Sequence, residues 1–211
     1  MKNRLINAGM IVLFGLSVVS GCASPGPILL EFQYRAPQDV AAAGAKTVVG
    51  VCPFKDDRGG VNSVIGKRSV EATNETNDLV IQGTAADKVA TALKASLKAR
   101  AIAYKDCSAW DLTEAGIPSD GAGLVISGEI KKLWVDAASR FANTTIKADV
   151  QIRVSVADPA QKKVIRVMNV SSAMERQSLA FSTSMVAETV ADALSSAMDQ
   201  IFKDEELKKK L

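Results

Sequence analysis

The chain has 211 residues, a net charge of +3 and no histidine. The missing imidazole excludes Ser-His and Cys-His catalytic sets and every zinc site that needs one. No cluster of Lys and Arg is interleaved with aromatic residues, so the basic balance does not point to nucleic acid.

In chain order, the first element is an export segment. Lys2 and Arg4 give a positive start, and Ala8 to Val19 form a largely apolar run of twelve residues. A membrane-spanning helix needs about 20, so residues 1–21 read as a cleaved address. The closing tetrapeptide Val19-Ser20-Gly21-Cys22 resembles the lipobox of bacterial lipoproteins, in which the cysteine is acylated and becomes the first mature residue. Ala23 and Ser24 follow it, with no aspartate, and the sorting pattern it resembles then implies the outer membrane. Without Lys2 and Arg4 the mature chain carries 24 basic and 23 acidic side chains, a net of +1.

Residues 22–45 read as a lipidated tether that carries one edge strand, Ile28 to Tyr34, and an Ala/Gly-rich loop from Pro37. The domain proper is expected over residues 46–205, with a charged, solvated tail over 206–211. Thr47 to Phe54 is a continuous apolar run that suits a buried strand. Lys55 to Asn62 is a charged, Gly-rich loop. Residues 63–82 give no clear period, apart from a strand end at Leu79-Val80-Ile81.

Thr84 to Ala101 is predicted helical. Thr84 and Asp87 form a T-x-x-D capping pattern, and Val89, Leu93 and Leu97 recur every four residues. Ala101 to Tyr104 is expected to be a short strand, and residues 108–121 a loop. Leu124 to Val135 alternates and then changes phase near Lys131-Lys132, which predicts a bulge. Ile146 to Val156 alternates without a break, so the sheet is expected to be buried on one face and wet on the other. Asp158 to Gln161 is a turn, Val164 to Met174 returns, and Ser182 to Phe202 is a second amphipathic helix. One wet face puts both helices on the other. The fold class is α+β, a two-layer domain with a mixed β-sheet and two helices packed on one face.

Together with Asp57-Arg58, Ile65-Gly66-Lys67-Arg68, the Lys147-Ala148-Asp149-Val150 strand and the helix through Ala187 to Leu194, the lipobox resembles the YajG-type family of bacterial outer-membrane lipoproteins. The resemblance implies a periplasmic α+β lipoprotein and supplies no reaction.

Five groups of residues are candidates for a role. Cys52 and Cys107 survive export into an oxidising compartment, where a pair is more often bridged than catalytic. If the strands that precede them are parallel neighbours across a β-α-β crossover, their ends meet. The alternative is two buried thiols packed as small apolar groups. Asp56, Asp57 and Arg58 follow the first core strand, and the plain reading is a loop ion pair in which Asp57 or Asp56 holds Arg58 or Arg68, with Asp57–Arg58 put first. Glu129, Asp136 and Asp149 could be paired carboxylates of a glycosidase, but they fit the wet face better. Trp134 and Phe141 could form a small exposed patch or be buried under the N-terminal segment. Gly59-Gly60 and Gly66-Lys67 miss the phosphate-loop spacing, because position 61 is Val61.

The expectation is a non-enzymatic envelope lipoprotein without cofactor or metal, joined to the outer membrane by its lipid, facing the periplasm and serving a protein partner. An auxiliary subunit of an envelope lipid or solute transport system is the alternative.

Overall fold

The computed structural model describes residues 26–37 and 47–211. The expected export segment, Cys22 and most of the expected Ala/Gly-rich loop lie outside the described residues. Among the described residues nine strands form one mixed sheet, and three helices pack on one face of it.

The strands are β1 (Ile28–Leu30), β2 (Val49–Val51), β3 (Lys55–Asp56), β4 (Val64–Val70), β5 (Glu75–Ile81), β6 (Tyr104–Asp106), β7 (Leu124–Arg140), β8 (Asn143–Asp158) and β9 (Lys163–Ser178). The helices are α1 (Ala85–Ala99), α2 (Thr183–Ile201) and α3 (Glu205–Lys208). The long hairpins β7–β8 and β8–β9 are antiparallel and carry the sheet. The other edge of β7 is shared in turn by β2 at 124–126, β3 at 129–130 and β4 at 135–139, all parallel to it. β5 pairs antiparallel with β4, and β1 adds in parallel at the edge.

The expected phase change appears as a register shift between Ile130 and Lys132. Along β8, Ile146, Ala148, Val150, Ile152, Val154 and Val156 are buried, while Lys147, Gln151 and Arg153 are exposed. α1 starts at the predicted cap: the Thr84 hydroxyl accepts from the Asp87 amide at 3.1 Å, and the Asp87 carboxylate accepts from the Thr84 amide at 3.2 Å. α2 starts after Ser182 and ends at Phe202, as its period required. Val89, Leu93, Leu97, Val186, Val190, Leu194 and Met198 close the core against the sheet.

Four expectations change. Residues 63–82 are a hairpin, β4–β5, rather than an unassigned stretch. The strand after α1 lies three residues later than expected, at Tyr104. The C-terminal run is ordered: Asp204 caps α3 by accepting from the Leu207 amide at 3.0 Å, and Leu207 is 1% exposed. The domain also begins well before residue 46. β1 belongs to the sheet, and Phe32 is buried in the main core.

Candidate functional site

Arg58 sits where β3 leaves the edge of β7 and β4 has not yet joined it. There β7 lacks a ladder partner between Ile130 and Val135. The guanidinium fills the gap. Nη1 donates to the Leu133 carbonyl at 3.0 Å and the Val64 carbonyl at 3.1 Å, and Nη2 donates to the Asn62 carbonyl at 3.0 Å. Nε and Nη2 each donate to the Asp56 carboxylate at 2.8 Å. All five N–H donors are used, in the fork geometry only Arg supplies. The side chains of Arg58 and Asp56 are 8% and 10% exposed. Of the alternatives the sequence leaves open, Asp57–Arg58, put first there, is therefore corrected: Arg58 holds Asp56. Asp57 turns the other way and accepts from Lys131 Nζ at 2.6 Å. The hydrogen bond from Arg58 holds the Asp56 carboxyl below its ordinary range. Lys131 does the same for Asp57, and Asp57 in turn raises Lys131.

Beside this plug, the wet face carries a hollow of about 670 Å³ bordered by Lys67, Lys131, Lys132, Trp134 and Asp136. The registers place Asp78, Lys67, Asp136, Lys147 and Glu175 in one row across β5, β4, β7, β8 and β9. Opposite charges alternate along that row, the favourable cross-strand arrangement. Trp134 Nε1 donates to Asp136 at 2.9 Å. Asp149 pairs with Lys132 at 2.8 Å and Glu129 with Lys131 at 2.9 Å. The three strand carboxylates thus have cationic or N–H partners of their own and do not face one another across a cleft. Gly66 and Lys67 lie inside β4 rather than in a phosphate-binding turn. Trp134 is half-buried on the wet face and Phe141 is fully exposed at the β7–β8 tip. They form no common patch.

Cys52 and Cys107 are joined, with Cα atoms 4.8 Å apart. β2 and β6 are parallel neighbours, Val51 lies opposite Asp106, and each cysteine is the next residue. The bridge roots the 107–122 loop, which folds back over the face away from the helices. Trp110, Ile117 and Ala122 bury Cys52, Val125 and Ala157 there in a second small core. The expected wet face is therefore covered at this end. Val125 and Ala157 were the signal for it: both are apolar residues in the outward phase of their strands.

The N-terminal strap, residues 28–35, pairs with the sheet as β1 and then, over residues 32–35, crosses the seam between the helices. Tyr34 Oη donates to Asp199 of α2 at 2.7 Å, and Arg100 at the end of α1 donates to the same carboxylate at 2.9 Å. The Arg35 amide donates to the Ser195 hydroxyl at 2.8 Å, and the Lys88 ammonium lies over the Phe32 ring at 5.8 Å. Burial raises the Tyr34 phenol above its ordinary value. Among the described residues no group of His, Cys, Asp and Glu could hold a metal ion, and no helix is long and apolar enough to cross a membrane.

No family model matches the chain, and no curated protein matches it in sequence. Among solved structures, protein XCC0632 from Xanthomonas campestris, of family DUF330, superposes with a TM-score of 0.56 at 11% identity, covering 82% of this chain and 90% of its own. A putative neuraminyllactose-binding hemagglutinin homolog from Helicobacter pylori gives 0.43 at 11% identity over 86% of this chain and 98% of its own. The lipoprotein GNA1162 from Neisseria meningitidis gives 0.37 at 12% identity over 75% of this chain and 99% of its own. What the chain shares with XCC0632 is its fold.

Proposed function

We propose that this chain is a YajG-type lipoprotein, acylated at Cys22, held on the periplasmic side of the outer membrane and serving there as a non-enzymatic accessory module. The observation that carries the reading is the Val19-Ser20-Gly21-Cys22 tetrapeptide placed just upstream of a folded domain that begins at Ile28. The bridge between Cys52 and Cys107 fits export, because such bonds persist in oxidising compartments. A general acid at neutral pH needs a raised carboxyl; Asp56 and Asp57 move down under Arg58 and Lys131. The mixed-charge hollow around Trp134 is the surface this reading gives to a protein partner.

Mass spectrometry of the protein extracted from outer membranes tests the reading. The expected result is a mature chain that starts at Cys22 and carries acyl chains, and a Cys22→Ser variant that is unprocessed or soluble. A Cys22→Ser variant still acylated and cut after Gly21 overturns it. A photo-crosslinking residue at Trp134 identifies the partner; capture of a transporter subunit would assign the chain to an envelope transport system.

A further inference from the structure

We propose that the hairpin-tip end of the sheet sits in the lipid leaflet that holds the Cys22 anchor, with Phe141 and Leu179 inserted among the lipids. The inference rests on the acylation of Cys22 proposed above.

The registers fix which end faces the anchor. Asn77 Nδ2 donates to the Gly26 carbonyl at 3.0 Å, so Gly26 lies level with Asn77. Asn77 is opposite Arg68, Arg68 opposite Ala137, Ala137 opposite Ile146 and Ile146 opposite Arg176. β1 runs parallel to β5 and away from the β4–β5 turn, so the chain enters from the side of the hairpin tips. Four residue steps separate Cys22 from Gly26, a reach of at most about 14 Å. From the Ala137 row to the tip at Phe141 is also four residues, about 13 Å along a strand. An acyl-bearing Cys22 therefore cannot extend much beyond the level of the tips, and with the strands upright on the bilayer its surface meets them.

What projects there is apolar. Phe141 is 100% exposed at the β7–β8 tip, and Leu179 is 84% exposed just past the end of β9, where Ser178 pairs with Thr144. They are the two most exposed large apolar side chains among the described residues. Arg140 and Glu71 pair at 3.1 Å beside Phe141, so these two charges offset each other, while Glu75 at the start of β5 is an exposed carboxylate on the same rim. An aromatic and an aliphatic side chain projecting from this rim suit the headgroup boundary of a bilayer.

The full lipidated chain suits a label test, because Cys22 is acylated and Cys52 is bridged to Cys107, leaving an added cysteine as the free thiol. Phe141→Cys, Leu179→Cys and, at the opposite end, Ala160→Cys are each labelled with an environment-sensitive fluorophore. The proteins are then reconstituted in phosphatidylethanolamine–phosphatidylglycerol vesicles. The expected result is blue-shifted emission at 141 and 179, at least threefold weaker quenching by aqueous iodide than at 160, and strong quenching by headgroup-proximal nitroxide lipid. Labels at 141 and 179 as accessible to iodide as 160 overturn the seating. So does shielding from iodide without nitroxide quenching, which would mark a protein contact. The mass of the N-terminal peptide separates the two failures: an acylated Cys22 with wet labels sinks the seating alone, and an unmodified Cys22 sinks both.

Discussion

Replacing Arg58 with Ala removes five donors from a site that is almost closed to solvent. It leaves the Asp56 carboxylate buried beside the gap in the β7 ladder and strips Val64, Leu133 and Asn62 carbonyls of their N–H partners. Removing one member of a buried pair costs roughly 3–5 kcal/mol, and the lost carbonyl partners add to it, so Arg58→Ala should lose about 4 kcal/mol. A domain of this kind has roughly 5–15 kcal/mol in total, so the variant stands near its threshold. Arg58→Lys keeps the charge but has three donors and no fork, and should lose about 2 kcal/mol. The pH dependence separates this account from simple loss of packing. Asp56 lies below its ordinary 3.8 because of Arg58. Its contribution is complete above the unfolded value and is lost as pH falls through the folded one. In Arg58→Ala the burial of Asp56 is unopposed and raises its pKa. That variant therefore recovers part of its deficit as pH falls towards the carboxylate range, and the gap to wild type narrows. Urea unfolding followed by far-UV circular dichroism, at neutral pH and near pH 4, measures both effects. A neutral-pH loss under about 1 kcal/mol, or a gap that does not change with pH, would refute the plug.

The bridge between Cys52 and Cys107 closes a sequence separation of 55 residues, for which the chain-entropy model gives at most about 4 kcal/mol; the double Ala variant should lose up to that amount in urea titration, with proteolysis of the 107–122 loop appearing first. Val150 is buried and Gln151 exposed, so Val150→Asp should cost several kcal/mol and Gln151→Asp no more than about 0.5 kcal/mol; equal thermal shifts would contradict the two-faced strand. Ala101 holds φ at 55° after α1, its amide donates to Lys98 and the Ile102 amide to Leu97. That is a helix end which usually takes Gly, and Ala101→Gly should raise stability by about 1 kcal/mol, read as an upward shift of the melting temperature.

The parts of the fold legible in the sequence are those whose cause is local. The capping pattern at Thr84 and the four-residue recurrence to Leu97 define α1, and the unbroken alternation of Ile146 to Val156 defines β8. The β4–β5 hairpin escapes the same reading because its core face is not purely apolar. Asn77 is buried there, holding the Gly26 carbonyl, and a polar residue in the inward phase breaks the period. The second core escapes because Trp110, Ile117 and Ala122 come from an aperiodic loop. Asp56 and Asp57 are equivalent in sequence. The choice between them is made by the vacancy on β7, which depends on residues 75 positions away. The cysteine pair was accessible to sequence reasoning because it needs only two parallel neighbours, and one crossover supplies them.

The strap changes what the proposed lipid anchor at Cys22 would do to the domain. A free spacer over residues 22–45 would have a root-mean-square length of about 27 Å, enough to let the domain swing clear of the bilayer. In the structure the chain joins the sheet at Ile28, and Tyr34 ties it to both helices through Asp199 and Arg100. Tension on the N-terminus is therefore delivered to an edge strand and then to the helix pair, with Phe32 packed between. A three-residue parallel strand is weak by itself. The ion pair and the buried Phe32 ring are what keep it from peeling, so if Cys22 carries the proposed anchor, the network at Asp199 would set how closely the domain is held to its membrane.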